Sequence, residues 1–210
     1  VFEAADLIVK VKEPQPSERA LLNERHTLFT YLHLAPDLKQ TTDLLASGSM
    51  CVAYETVTDG AGRLPLLAPM SEVAGRLSVQ AGAHCLERAQ GGRGVLLSGG
   101  AGVERGHVLR LGGGVVGQQA LRMALGLEAQ VTVIDINLDS LRTIDQRFAG
   151  RVNTRYSTQA TIAELVQGAD LVIGSVLIPG AAAPKLVSEA MISTMMPGSV
   201  IVDVAIDQGG

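Results

Sequence analysis

The chain has 210 residues, 47% of them hydrophobic and 18% charged, with a formal net charge of −4. That length allows one large or two small domains with a well-buried core, and mild acidity without a basic cluster argues against nucleic acid. No apolar stretch is long enough to span a bilayer, and the first residues lack the basic start and cleavage pattern of a signal peptide.

The first third alternates strand and helix. Residues 7–11 read as a strand stopped by Glu13 and Pro14, and Ser17 as the cap of a short helix over 17–23. A strand over 28–32, a helix over 36–46 ended at Gly48, and a strand over 51–55 follow. This rhythm implies right-handed crossovers and a parallel sheet. After a turn at 59–62, residues 70–90 read as one long helix with apolar positions at Val73, Leu77, Ala81 and Leu86. Strands then recur at 95–97, 107–111, 131–134, 171–176 and 200–206, with a last helix over 186–195. The expected fold is α/β, with two Rossmann-like, doubly wound parallel-sheet domains. Residues 1–66 would be part of a substrate domain, and 67–210 a bridging helix with a nearly complete dinucleotide-binding domain. Cys51 and Cys85 lie outside metal-type spacing and are expected as free, buried thiols of a reducing cytosol. The chain starts without Met close to one strand and stops just after another, so an internal piece of a longer protein is expected.

The strongest local signal lies at the second domain's first long strand. Residues 107–111 run into Gly112-Gly113-Gly114-Val115-Val116-Gly117 and a helical stretch, and a second apolar run ends on Asp135. This is a Gly-x-Gly-x-x-Gly fingerprint with its acidic residue at the expected distance. Gly112 takes the tight turn, Gly114 lets a pyrophosphate approach the backbone, and Gly117 lets the helix lie close to the sheet. The helix N-terminus holds the phosphates. Asp135 accepts hydrogen bonds from the ribose hydroxyls and repels a 2′-phosphate, which favours NAD over NADP. Arg110 breaks the pattern, because a central strand is covered on both faces. Either it snorkels, or it has a carboxylate partner, or it weakens the strand.

In a parallel α/β sheet, ligands bind beyond the carboxyl ends of the strands. The polar residues there are Lys12, His33, Glu55, Asp135 and Asp207. A lysine, a histidine and an aspartate suit redox chemistry at an amino-acid α-carbon. The cation holds a carboxylate, the histidine moves protons, and the carboxylate stabilises positive charge on nitrogen. Each also has a plain structural role open to it: a solvated strand-end lysine, a hydrogen-bonded core histidine, a turn aspartate. Glu55 reads as a structural ion pair or hydrogen bond, and His26, His84 and His107 as structural.

These residues sit in stretches that closely resemble L-alanine dehydrogenases. Among them are Lys10-Val11-Lys12-Glu13-Pro14, residues 28–35, residues 66–76, residues 111–117, Ile134-Asp135-Ile136-Asn137 and residues 202–210. The resemblance runs in order along nearly the whole chain. It implies NAD-dependent deamination of L-alanine to pyruvate and ammonia, and the reverse reductive amination. By the family's motifs, Lys12 contacts the substrate, His33 is the acid/base, and Asp207 lies at the reacting carbon. Ser71 on the long helix reaches the cofactor, Val115 and Val116 occupy the phosphate loop, and Asp135 takes the ribose position. Ser140 stands near the adenosine where relatives often have a basic residue. Ser157, Val176, Leu177, Val204, Ala205, Ile206 and Asp207 match further cofactor-wall positions. The resemblance also implies a cytoplasmic homo-oligomer, commonly a hexamer, with small-molecule substrates and no membrane or nucleic-acid partner.

The family's leading arginine for the substrate carboxylate and its returning C-terminal part have no counterpart here. Its usual metal-binding positions also lie past residue 210, so no metal is assigned. Two other functions stay open. One is the NAD(H)-binding component of a proton-translocating transhydrogenase, which needs no amino-acid site; the other is a non-catalytic NAD-binding module.

Overall fold

The structure, a computed structural model, describes residues 1–176 and 183–206, with Val115 described by its backbone alone. These residues form two compact units, Val1–Met70 and the residues from Ser71 onward.

In the first unit, β1 (Leu7–Val9), β2 (Thr27–Thr30) and β3 (Met50–Ala53) form a parallel sheet in that order. α1 (Pro16–Arg19) has Gln15 rather than Ser17 at its N-cap, with Glu18 accepting the Gln15 N–H at 2.6 Å. Pro16 decides this, because a helix accepts proline in its first turn, where the missing N–H has no partner to lose. α2 (Leu38–Ser47) is capped by Asp37, which accepts the Gln40 N–H at 2.8 Å, and it closes on Gly48 at φ 67°. Ile8, Leu22, Leu28, Leu32 and Leu44 form the core of this unit. Each such side chain stabilises by about 1.5–3 kcal/mol when fully buried. On the other side of the sheet, Leu7, Val9 and Met50 are exposed.

In the second unit, five parallel strands follow the order β6-β5-β4-β7-β8. They are β4 (His107–Leu111), β5 (Gln130–Asp135), β6 (Asn153–Tyr156), β7 (Leu171–Gly174) and β8 (Val200–Asp203). α3 (Ala68–Cys85), α4 (Val115–Gly126) and α5 (Leu138–Phe148) supply helices for one face, where Val79, Leu121 and Ile144 pack with Val108, Val133 and Ile173. α6 (Gln159–Gln167) and α7 (Glu189–Ile192) cover the other, where Ile162 and Val166 pack with Leu109, Ile134 and Val172. Helices on both faces of a parallel sheet make a doubly wound unit, and the α/β expectation is borne out.

Several elements differ from the sequence reading. β6 is an edge strand of Asn153, Thr154, Arg155 and Tyr156, too polar for its apolar pattern to announce it, and it pairs with β5 from Thr132 to Asp135. No strand forms over 95–97, which lies among glycines such as Gly91, Gly94 and Gly99 with φ of 84°, 77° and 60°. The last helix shrinks to Glu189–Ile192, and the last strand ends at Asp203. Cys51 and Cys85 are free, but Cys51 is only half-buried and Cys85 is exposed.

The long helix turns a different face inward. Val73 and Leu77 are exposed, and Ser71, Gly75, Ser78, Val79 and Gly82 are the buried residues. Small residues are required there because the packing is tight. A Cβ on Gly75 would fall 2.1 Å from the Val116 carbonyl oxygen, and one on Gly82 would fall 2.5 Å from the Leu171 side chain. Among the described residues, no helix is long and apolar enough to cross a membrane.

Candidate functional site

The glycine loop forms the carboxyl edge of the five-stranded sheet. Gly112 has φ 96° and donates its N–H to Ile134 O at 2.9 Å, the positive-φ turn that the fingerprint needs. Gly113 donates its N–H to Asp135 Oδ2, and a Cβ there would collide with that carboxylate and with Ser140 Oγ. Gly114 is the N-cap of α4, and a Cβ there would meet nothing within 4 Å. Open space beside a 12-residue helix N-terminus, with its unpaired N–H groups and positive dipole end, fits a diphosphate.

Most of the described residues expected to wall a cofactor follow the carboxyl ends of these strands. Asp135 ends β5 and also accepts the Asn137 N–H at 2.7 Å, so the carboxylate is oriented from two sides. Ser140 lies in the first turn of α5, its hydroxyl 3.4 Å from Gly113 O. Ser157 follows β6 and donates its N–H to Asp135 O at 3.0 Å. Val176 follows β7, with its side chain packed over Gly112. Val204 donates its N–H to Gly174 O at 2.9 Å, and Ala205 donates to Asp203 Oδ1 at 2.9 Å; Ile206 follows them and is exposed. Ser71 is buried on α3, one turn before the Gly75 that touches Val116. Leu177 and Asp207 lie outside the described residues, as does the side chain of Val115.

Arg110 does not snorkel, and among the described residues no carboxylate lies within hydrogen-bonding distance of it. It is 1% exposed, and Nη2 donates to Gly114 O at 3.3 Å. Nε and Nη1 have no partner among the described residues. Burial pushes its guanidinium down to about 9, with the charge of Asp135 acting the other way. The side chain fills the space left by Gly117, where a Cβ would lie 1.7 Å from Nη2. The close approach expected of Gly117 is therefore present, and what approaches is the arginine of the central strand.

On the first unit, Lys12 and His33 converge on one carboxylate that the sequence reading had passed over as a strand stop. Glu13 Oε1 is 2.5 Å from His33 Nδ1, and Glu13 Oε2 is 2.9 Å from Lys12 Nζ. Burial acts to raise the Glu13 carboxyl, but hydrogen bonds from Lys12, its own backbone and His33 hold it below the usual range. His33 has φ 46°, a left-handed conformation uncommon for a residue with a side chain. Glu55, 8% exposed, accepts the Leu32 N–H at 3.1 Å and the His33 N–H at 2.7 Å, and so pins that backbone. The expected structural role of Glu55 is a hydrogen-bonding one. Tyr31 stacks on the His33 ring, with centroids 5.9 Å apart and planes within 5°. The Tyr31 phenol is raised, first by burial and then by the charge of Glu55.

The other histidines keep structural roles where their partners are seen. His26 accepts the Asn23 N–H at 2.9 Å, and its Nε2 lies 2.8 Å from Phe2 O. His107 lies between Gly168 O and Thr132 Oγ1.

Comparison with known proteins places the chain in a family. The family model for the "Alanine dehydrogenase/PNT, C-terminal domain" matches residues 78–210, and that for the N-terminal domain matches 1–74. The chain belongs to the alanine dehydrogenase/PNT family. The alanine dehydrogenase of Halomonas elongata is 59% identical over 210 residues, covering 100% of this chain and 57% of that protein. A solved L-alanine dehydrogenase superposes with a TM-score of 0.85 at 53% identity, over 98% of this chain and 57% of that one. A transhydrogenase from Sinorhizobium meliloti superposes with a TM-score of 0.75 at 27% identity, over 100% and 61%. The chain thus spans a little over half the length of the alanine dehydrogenases it matches. Family and fold together imply a nucleotide cofactor.

Proposed function

We propose that the chain carries the NAD-binding unit and part of the substrate unit of an L-alanine dehydrogenase. The reaction converts L-alanine, NAD and water to pyruvate, ammonium, NADH and a proton, and runs in reverse as reductive amination. One observation supports this over a transhydrogenase component or a bare NAD-binding module. Lys12 and His33 are tied together through Glu13 on the first unit, and neither alternative has a use for that constellation.

The open face at Gly114 and the N-terminus of α4 would hold the diphosphate, with Val115 and Val116 in that first turn. Asp135 would accept hydrogen bonds from the ribose hydroxyls and disfavour a 2′-phosphate, which makes NAD the cofactor. Ser71, Ser140, Ser157 and Val176, with Leu177 and the stretch from Val204 to Asp207, would complete the cofactor walls. When bound, the nicotinamide supplies or accepts the hydride at the substrate α-carbon.

Lys12 holds the substrate carboxylate as a point charge. His33 moves a proton as ammonia adds to the carbonyl and water leaves. Asp207 stabilises the cationic nitrogen. We further assign the enzyme to the cytoplasm as a homo-hexamer, and the exposed Val73 and Leu77 on one face of α3 support a subunit contact.

The test is NADH consumption with pyruvate and ammonium, measured on this chain and on a polypeptide matching the relatives' full length. Turnover that requires both substrates is expected, and His33→Ala retaining full turnover would remove the proposal.

A further inference from the structure

Glu13 has no role in the mechanism just described, yet it is the group on which Lys12 and His33 meet. It lies in the loop between β1 and α1, 20 residues from His33 in sequence, and its side chain is 20% exposed. The loop itself is anchored. Buried Arg19 donates to Pro14 O at 2.9 Å and pairs with Asp43 at 2.9 Å, and buried Thr30 bonds Val11 O and Lys12 O, each at 3.1 Å. The carboxylate therefore reaches His33 from a fixed backbone.

An ionised carboxylate can only accept hydrogen bonds, so the imidazole nitrogen facing it carries a proton. That nitrogen is Nδ1. Nε2 is then the ring nitrogen left to exchange a proton with a substrate. A carboxylate of this kind orients catalytic and metal-binding histidines elsewhere in proteins, where its removal costs from about tenfold to about 10⁴-fold.

We propose that Glu13 is a positioning residue for proton transfer, fixing His33 as the Nδ1–H tautomer so that Nε2 serves the substrate. The assignment rests on the alanine dehydrogenase reading. In reductive amination the carbinolamine C–O bond breaks, and the Nε2 proton of the imidazolium passes to the departing hydroxyl. Water leaves, and the nitrogen lone pair closes the C=N bond of the iminium. His33 is left neutral, its proton still on Nδ1 and donated to the Glu13 carboxylate.

The experiment compares wild type, Glu13→Gln, Glu13→Ala and Glu13→Asp in the full-length enzyme, with steady-state kinetics, NADH binding and ¹⁵N spectra of labelled histidine. Glu13→Ala should lower kcat by about a hundredfold, leave NADH affinity within twofold as the control for folding, and move the His33 signals toward the Nε2–H tautomer. Glu13→Gln keeps an acceptor oxygen but no charge. It should keep the tautomer and lose less of kcat, and Glu13→Asp should recover part of the rate. A Glu13→Ala enzyme with kcat within twofold of wild type, or a wild-type His33 protonated on Nε2 in its neutral form, would overturn the assignment. A wild-type enzyme that consumes no NADH would overturn the alanine dehydrogenase reading instead. The ¹⁵N pattern separates the two failures, because it reports the Glu13 contact without turnover.

Discussion

Replacing Arg110 by Met should stabilise the protein, and by an amount that depends on pH. The guanidinium is 1% exposed, two of its nitrogens lack partners among the described residues, and burial pushes it down to about 9. That lies well below the ordinary arginine range, so keeping this side chain charged at neutral pH costs stability. Replacing buried charges by apolar side chains of similar volume recovers only part of such a cost, commonly 1–4 kcal/mol. Losing the arginine orphans nothing, since Gly114 O also accepts the Gln118 N–H at 3.0 Å. A gain of about 2 kcal/mol corresponds to roughly 4–8 °C in Tm for a chain of this size.

The sign of the pH dependence follows from linkage. Below about 9 both folded and unfolded states hold the proton, so the full penalty applies. From there up to the ordinary arginine value the unfolded state binds more protons, so wild-type stability from this group rises with pH. The advantage of Arg110→Met should therefore be largest near pH 7.5 and smaller near pH 10.5. Thermal melts of both proteins at both values measure it. A Tm that is unchanged or lowered at neutral pH, or a gain that does not shrink at high pH, would refute the reasoning.

Other expectations concern neighbouring positions. Gly117→Ala should destabilise by about 3 kcal/mol through overpacking, because its Cβ would lie 1.7 Å from the Arg110 guanidinium. In an Arg110→Ala background that cost should fall by more than half, and equal costs in the two backgrounds on urea denaturation would exclude the collision as the cause. Gly114→Ala places a methyl in open space. Its Tm should stay close to wild type while NADH binding by calorimetry weakens about tenfold, a loss of about 1.4 kcal/mol. Asp135→Asn should weaken NADH by roughly tenfold or more and narrow the preference over NADPH; an unchanged ratio of the two affinities would count against the ribose contact. Glu55→Ala leaves the Leu32 and His33 N–H groups without their acceptor. A loss of about 2–4 kcal/mol in urea unfolding is expected, and a loss under 0.5 kcal/mol would mean that the turn finds other partners.

The glycine loop of the second unit was legible because its geometry is written locally. A turn at φ 96°, an open N-cap and a carboxylate at the end of the next strand each require a particular residue at a particular spacing. The β-α alternation was legible wherever strands are apolar, and it failed at β6, whose edge position lets Asn153 and Arg155 serve as strand residues. It failed also along α3. There Val73, Leu77 and Ala81 face outward and only Leu86 of the expected stripe is buried, while Gly75 and Gly82 face inward because Val116 and Leu171 come too close for anything larger. A periodicity reading assigns the core to large apolar residues, so a helix buried through its smallest ones reads the wrong way round.

The polar cluster of the first unit was legible only as a set of residue types, and the reason is physical. Lys12 and His33 could be named from strand ends, but what orients them is a contact across 20 residues, Glu13 to His33, and another across 22, Glu55 to the His33 N–H. Neither contact leaves a periodic or spacing signal. The backbone of His33 at φ 46° shows why both are needed. A histidine held in the left-handed region, at a cost of order 1–3 kcal/mol, persists only where surrounding contacts over-determine it. Glu55 supplies that constraint on the main chain, the Tyr31 ring supplies it on one face of the imidazole, and Glu13 supplies it at Nδ1. With backbone, ring plane and one nitrogen all held, Nε2 is the ring nitrogen left to meet a substrate, as the proposed acid/base role requires.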